Sequence, residues 1–114
     1  MSFPNGRMLI NMSATIKTMR KKRNEYEIIY AIMSSVADGA TISRIIYQSN
    51  MSYNSLKKYL KMLVEKDLIY KNNYSKYFLT EKGLMLYDVL EDYIEKKKAI
   101  EEDLVKMKEM LGDF

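Results

Sequence analysis

The sequence contains no cysteine and no histidine. Without cysteine there is neither a disulfide framework nor a thiolate metal site. Without histidine the commonest general base and the commonest metal ligand are both missing, and only carboxylates, lysine and tyrosine remain for catalysis. That composition argues against an enzyme. Proline occurs once, at Pro4, and glycine four times in 114 residues, so helices meet few interruptions. Long apolar runs are missing too: Met8-Leu9-Ile10 is far too short for a secretory signal or a membrane span. We expect no membrane association and no bound metal. Acids do cluster, at Glu91, Asp92 and Glu95 and at Glu101, Glu102 and Asp103. Helical geometry fans consecutive carboxylates to different faces, so these read as solvated surface and not as a site for a hard cation.

What the chain has in quantity is unevenly placed charge. The net charge is a modest +4. Residues 1–23 hold six bases and no acid, residues 24–80 seven bases against five acids, and residues 81–114 six bases against ten acids. A basic front and an acidic rear point to a polyanion binder whose far end does something else. Residues 1–23 carry no sustained pattern and are expected to form a flexible arm ending in Arg20, Lys21, Lys22 and Arg23. Such a cluster suits phosphates or an adjacent minor groove.

Residues 41–66 are the centre of the chain. Ile42, Ile45 and Ile46 recur at helical spacing after a Thr41 cap, and Ser52 caps a second helix in which Leu56, Leu60 and Leu63 share one side. Between them Asn50 tolerates the left-handed backbone of a tight turn, which gives a helix-turn-helix. On the second helix Asn54, Lys57, Lys58 and Lys61 point away from the leucines. That face, beginning with Ser52 and Tyr53 at the helix N-terminus, suits a major groove: lysines meet phosphates and asparagine reads an adenine edge. Upstream, Asn24 begins another helix, with Glu25 and Glu27 in its first turn, an apolar stripe from Tyr26 to Val36, and Gly39 at its end. Downstream, two β-prone runs, 68–71 and 74–79, flank Asn72-Asn73, a pair suited to the primed turn of a tight hairpin. A hairpin in this place is a wing, presenting Lys71, Asn72, Asn73 and Lys76 to phosphates or a minor groove.

From a Thr80 cap, residues 81–114 form a long C-terminal helix on the order of 45 Å in length. Leu84, Tyr87, Leu90 and Ile94, then Ile100, Leu104, Met107 and Leu111, step by threes and fours like a coiled-coil seam. The phase slips by one residue between the two sets, and Lys97 falls on the seam. A helix so long cannot bury its far half on a domain of about sixty residues, and the most economical partner is a second copy. Leu90, Ile94, Ile100, Leu104, Met107 and Leu111 are the expected dimer contacts. The fold expected is therefore mainly α with a small β-hairpin, divided into the arm 1–23, a winged helix-turn-helix at 24–80 and a dimerisation helix at 81–114.

Gly39-x-Thr41-x-x-x-Ile45-x-Tyr47, Asn50-Met51-Ser52-Tyr53, Leu56-Lys57-Lys58-Tyr59-Leu60, Leu68-Ile69 and Tyr77-x-Leu79-Thr80-x-Lys82-Gly83 together resemble the small archaeal winged-helix DNA-binding proteins. That group includes chromatin-associated proteins of Sulfolobus and many predicted regulators. The resemblance covers residues 24 to about 95. It implies a homodimer whose long helices pair antiparallel, cytoplasmic and nucleoid-associated, binding double-stranded DNA without a cofactor in transcription regulation or chromatin. It assigns Ser52, Tyr53, Asn54, Lys57 and Lys58 to the recognition helix and 71–76 to the wing. Asp67 stands where a glycine is common before the first wing strand, which puts the wing's orientation in question, and the arm is not part of the shared pattern. The alternative is a protein-interaction module in which the winged helix is an inert scaffold.

Overall fold

The computed structural model describes residues 23–112. One compact unit is Asn24–Asp92; the described residues of the other are Arg23 and those from Tyr93 onward in the last helix. The mainly helical class, the hairpin and the long C-terminal helix are all present.

Helix α1 (Glu25–Val36) starts in a capping box: the Glu27 backbone N–H donates to Asn24 Oδ1 at 2.8 Å and the Asn24 N–H to Glu27 Oε1 at 3.0 Å. It buries Ile32, Met33 and Val36, whereas Tyr26, assigned to the same stripe by its spacing, is mostly exposed in the first turn. Helix α2 (Ile42–Ser49) is capped by Thr41 and stopped by Asn50, whose φ of 56° and ψ of 48° are the left-handed values the turn requires. Helix α3 (Tyr53–Glu65) is capped by Ser52, which accepts from the Ser55 N–H at 3.2 Å. Its end is a Schellman arrangement: the Asp67 N–H bonds the Val64 carbonyl and the Leu68 N–H bonds the Leu63 carbonyl, at 3.0 and 2.9 Å. Asp67 takes φ 59°, so an aspartate holds the place a glycine commonly fills.

Strands β1 (Ile69–Lys71) and β2 (Tyr77–Leu79) pair antiparallel, with Lys71 opposite Tyr77. Ala40 adds a short third edge by exchanging two backbone hydrogen bonds with Tyr77. The turn differs from expectation. Neither Asn72 nor Asn73 has positive φ, as a primed two-residue turn demands; Ser75 does, at 61°. The Asn72 N–H bonds the Lys76 carbonyl at 2.8 Å, leaving a three-residue tip, 73–75. The physical reason is the Asn72 side chain, whose Oδ1 accepts from the backbone N–H groups of Tyr74 (2.9 Å) and Lys76 (3.0 Å) and so pins the wider loop.

The core gathers Ile32 and Val36 from α1, Ile45 from α2, Leu56, Leu60 and Leu63 from α3, and Leu68, Ile69 and Tyr77 from the hairpin. Each such aliphatic side chain contributes about 1.5–3 kcal/mol by leaving water. Helix α4 (Glu81–Leu111) follows the Thr80 cap, which accepts from the Gly83 N–H at 2.9 Å. Early in α4, Leu86 packs on this core and the Tyr87 ring stacks on Tyr30, centroids 5.5 Å apart. The Ser34 hydroxyl donates to the Tyr87 oxygen at 3.4 Å. Burial pushes the Tyr30 phenol above its ordinary range, partly offset by its hydrogen bond with Ser34, with Tyr87 and Glu91 adding to the rise.

Candidate nucleic-acid interface

Because Leu56, Leu60 and Leu63 are drawn into the core, the opposite side of α3 must face solvent. Asn54, Lys57, Lys58 and Lys61 are all exposed there, as the spacing requires. Tyr53 and Ser52 are exposed at the start of the helix, where the dipole leaves partial positive charge. Lys57 Nζ lies 5.9 Å from the centre of the Tyr53 ring. A cation over an exposed ring gains about 0.5–1 kcal/mol, enough to bias where both side chains rest.

The helix is held firmly at its far end. The Thr80 hydroxyl donates to the Asp67 carbonyl at 2.6 Å, Lys82 Nζ donates to the Lys66 carbonyl at 3.0 Å, and the Thr80 N–H donates to the Leu68 carbonyl at 3.1 Å. These bonds satisfy the carbonyls of Lys66, Asp67 and Leu68 just past the last turn of α3, and they tie α3, the base of the hairpin and the start of α4 together. Gly83 permits this closeness. A β-carbon there would overlap the Leu68 carbonyl oxygen and lie 3.0 Å from its carbon.

In the hairpin Lys71, Asn73 and Lys76 are exposed. Asn72 is half-buried with its acceptor oxygen committed to the loop, so its part is to shape the tip. The spacing did not single out Tyr74, which is 83% exposed on the tip, nor Tyr47, 87% exposed near the end of α2. A strand running from residue 74 hides the first of these, because alternation along a strand says nothing about a residue on a turn. Arg20, Lys21 and Lys22 of the expected arm cluster lie outside the described residues; Arg23 is exposed.

Along α4 the expected dimer residues separate into two groups. Leu90 is only 5% exposed and Ile94 is half-buried, whereas Ile100, Leu104, Met107 and Leu111 are exposed. The phase slip in the sequence has this origin: at 100° per residue Tyr87, Leu90 and Ile94 lie on one face of the helix and the later four on another. Among the described residues no helix is long and apolar enough to cross a membrane, and no group of three or more acidic side chains could hold a metal ion.

Three helices, a two-stranded wing closed by Ala40, and a helix leaving from the wing's base define a winged helix-turn-helix protein. The chain belongs to the winged helix-turn-helix family, whose pattern matches residues 22–98. A relative, an uncharacterised protein of Methanocaldococcus jannaschii, is 34% identical over 80 residues, which are 69% of this chain and 81% of the relative. Among solved structures the chain is similar to Sso10a-2, a DNA-binding protein from Sulfolobus solfataricus, with TM-score 0.67 and 29% identity, covering 81% of this chain and all of that one. Ligand-free NadR shares the fold, with TM-score 0.56 and 18% identity over 95% of this chain and 80% of its own. The resemblance to archaeal winged-helix proteins read from the sequence is thus upheld, with relatives from two archaea.

Proposed function

We propose that the protein is a homodimeric double-stranded DNA-binding protein serving transcription regulation or chromatin architecture. The observation that carries the reading is the outer face of α3: Asn54, Lys57, Lys58 and Lys61 are exposed together on a helix whose end is fixed by the Thr80 and Lys82 hydrogen bonds. Lysines on such a face release counterions from phosphates, while Ser52, Tyr53 and Asn54 at the helix start meet base edges. Lys71, Asn73 and Lys76 of the wing add phosphate contacts beside it, and the sequence cluster Arg20, Lys21, Lys22 and Arg23 offers further positive charge for phosphates. The likeness to Sso10a-2 supports the same reading.

Dimerisation is assigned to the exposed face of α4. Val89, Ile100 and Leu111 are spaced eleven apart and all exposed, as are Met85 and Met107 two such steps apart. Leu104 follows Tyr93 by the same interval. An eleven-residue period runs at 3.67 residues per turn, so two such helices pair nearly straight or with a slight right-handed coil, unlike a heptad seam. Leu90 is already covered within its chain, and Ile94 borders the seam. Fluorescence anisotropy with a labelled duplex tests the DNA reading. Reversing Lys57→Glu and Lys58→Glu together should abolish binding at low salt, and unchanged binding would transfer support to a protein-interaction module. Competitor DNA separates the two biological variants. A regulator's operator outcompetes bulk DNA by roughly a thousandfold or more, whereas a chromatin protein shows little preference.

A further inference from the structure

The wing tip holds a large aromatic ring out in solvent. Tyr74 is 83% exposed in the centre of the three-residue tip, and nothing in the fold requires it there. Its backbone, in contrast, is closely held. Asn72 Oδ1 accepts from the Tyr74 and Lys76 N–H groups, the Ser75 N–H donates to the Asn72 carbonyl at 3.2 Å, and the Asn72 N–H donates to the Lys76 carbonyl. Ser75 takes left-handed φ, 61°, which carries the chain back into β2. At the hairpin base Tyr70 stacks on Phe78, centroids 5.7 Å apart, and Phe78 fits against Gly39, where a β-carbon would collide with the ring. The loop is therefore preorganised, and the side chain it presents is flanked by the exposed cations Lys71 and Lys76.

We infer that Tyr74 is the wing's base-contacting residue: its ring stacks on or wedges between bases of the minor groove while Lys71 and Lys76 grip the phosphates on either side. This rests on the DNA-binding reading above and extends it from charge to ring contact. A lysine contact weakens with salt, because its free energy comes from released counterions. A ring inserted at a base step does not, so its contribution is insensitive to salt. Apolar wedges of this kind unstack a base step and kink the duplex. A loop fixed before binding loses little further entropy when the ring is buried, which is the condition under which one side chain contributes measurably.

The full chain supplies its own probe, because it contains no tryptophan. Tyr74→Trp places a single indole at the tip. On addition of a random-sequence duplex its emission should be quenched and shielded from acrylamide, in step with the anisotropy of the labelled DNA. Tyr74→Ala should bind about tenfold more weakly with an unchanged salt slope, and Tyr74→Phe should bind like the parent. Unchanged Trp emission during binding would overturn the inference, as would full affinity in Tyr74→Ala or an equal loss in Tyr74→Phe, since the last would assign the contact to the hydroxyl. Each of these outcomes leaves parental binding in place. Failure of the DNA-binding reading is a different result, in which the parent does not bind the duplex.

Discussion

Replacing Gly83 by alanine separates helix propensity from packing, because the two predict opposite signs. Gly83 sits in the first turn of α4 with ordinary helical backbone, where alanine would by itself gain about 0.5–1 kcal/mol. The added β-carbon, however, overlaps the Leu68 carbonyl oxygen and lies 3.0 Å from the carbonyl carbon. Both obstacles are backbone and cannot rotate aside. Relief requires α4 to withdraw from the base of the wing by something on the order of 1 Å, comparable to core overpacking at about 1–3 kcal/mol. Withdrawal also stretches the Thr80 bonds to the Leu68 and Asp67 carbonyls, each contributing about 0.5–1.5 kcal/mol. With the propensity gain subtracted, Gly83→Ala should cost about 2–4 kcal/mol, a large part of the roughly 5–15 kcal/mol a domain has. Urea unfolding followed by circular dichroism, at matched protein concentration because the stability of the proposed dimer would depend on it, reads the effect as a midpoint lowered by about 1–2 M. A variant as stable as the parent, or more so, would refute the close approach of α4 to Leu68.

Three further outcomes follow from the same geometry. Asp67→Gly should raise stability by about 0.5–1 kcal/mol in thermal melts, because glycine adopts the φ of 59° without the steric cost an aspartate bears; a lower melting temperature would mean that the aspartate side chain holds the turn. Leu104→Asp should yield a folded monomer by sedimentation equilibrium and weaken duplex binding, because two linked heads raise effective concentration; a variant that stays dimeric would place the seam elsewhere. Tyr30 has a raised ionisation point in the folded chain, so its contribution is complete below the ordinary tyrosine value of about 10 and is lost as pH rises through the folded one. Unfolding free energies between about pH 9 and 11 should therefore fall more steeply in the parent than in Tyr30→Phe, and parallel curves would remove the burial of Tyr30 as the cause.

How much of this was legible in the sequence depended on whether the deciding interaction was local. The helix caps at Asn24, Thr41, Ser52 and Thr80 and the left-handed turn at Asn50 are set by one residue and its near neighbours, and the sequence placed all of them. The outward face of α3 followed from leucine spacing alone. The hairpin turn misled because Asn-Asn is a good primed-turn pair, yet the Asn72 side chain prefers two backbone donors and moves the positive φ to Ser75. Ala40 joining the sheet and Gly83 meeting Leu68 join residues well apart in sequence, and no local pattern marks either. The one-residue slip in the apolar spacing of α4 was legible in the sequence, but what lies against each face was not. The inward face does not end at the slip, because Glu101 and Val105 continue the line of Leu90 and Ile94 and are also buried, whereas Ile100, Leu104, Met107 and Leu111 are exposed on another face.

The most direct test of the central claim is the salt dependence of duplex binding, measured by anisotropy for the parent and for Lys57→Ala combined with Lys58→Ala, with a random duplex and with the gene's own upstream region. If α3 meets phosphates through these lysines, log affinity falls linearly with log salt and the variant's slope is shallower by about two on both duplexes. Preference of the parent for the upstream duplex would mark a regulator. No binding to either duplex at low salt, or identical slopes for parent and variant, would contradict the account.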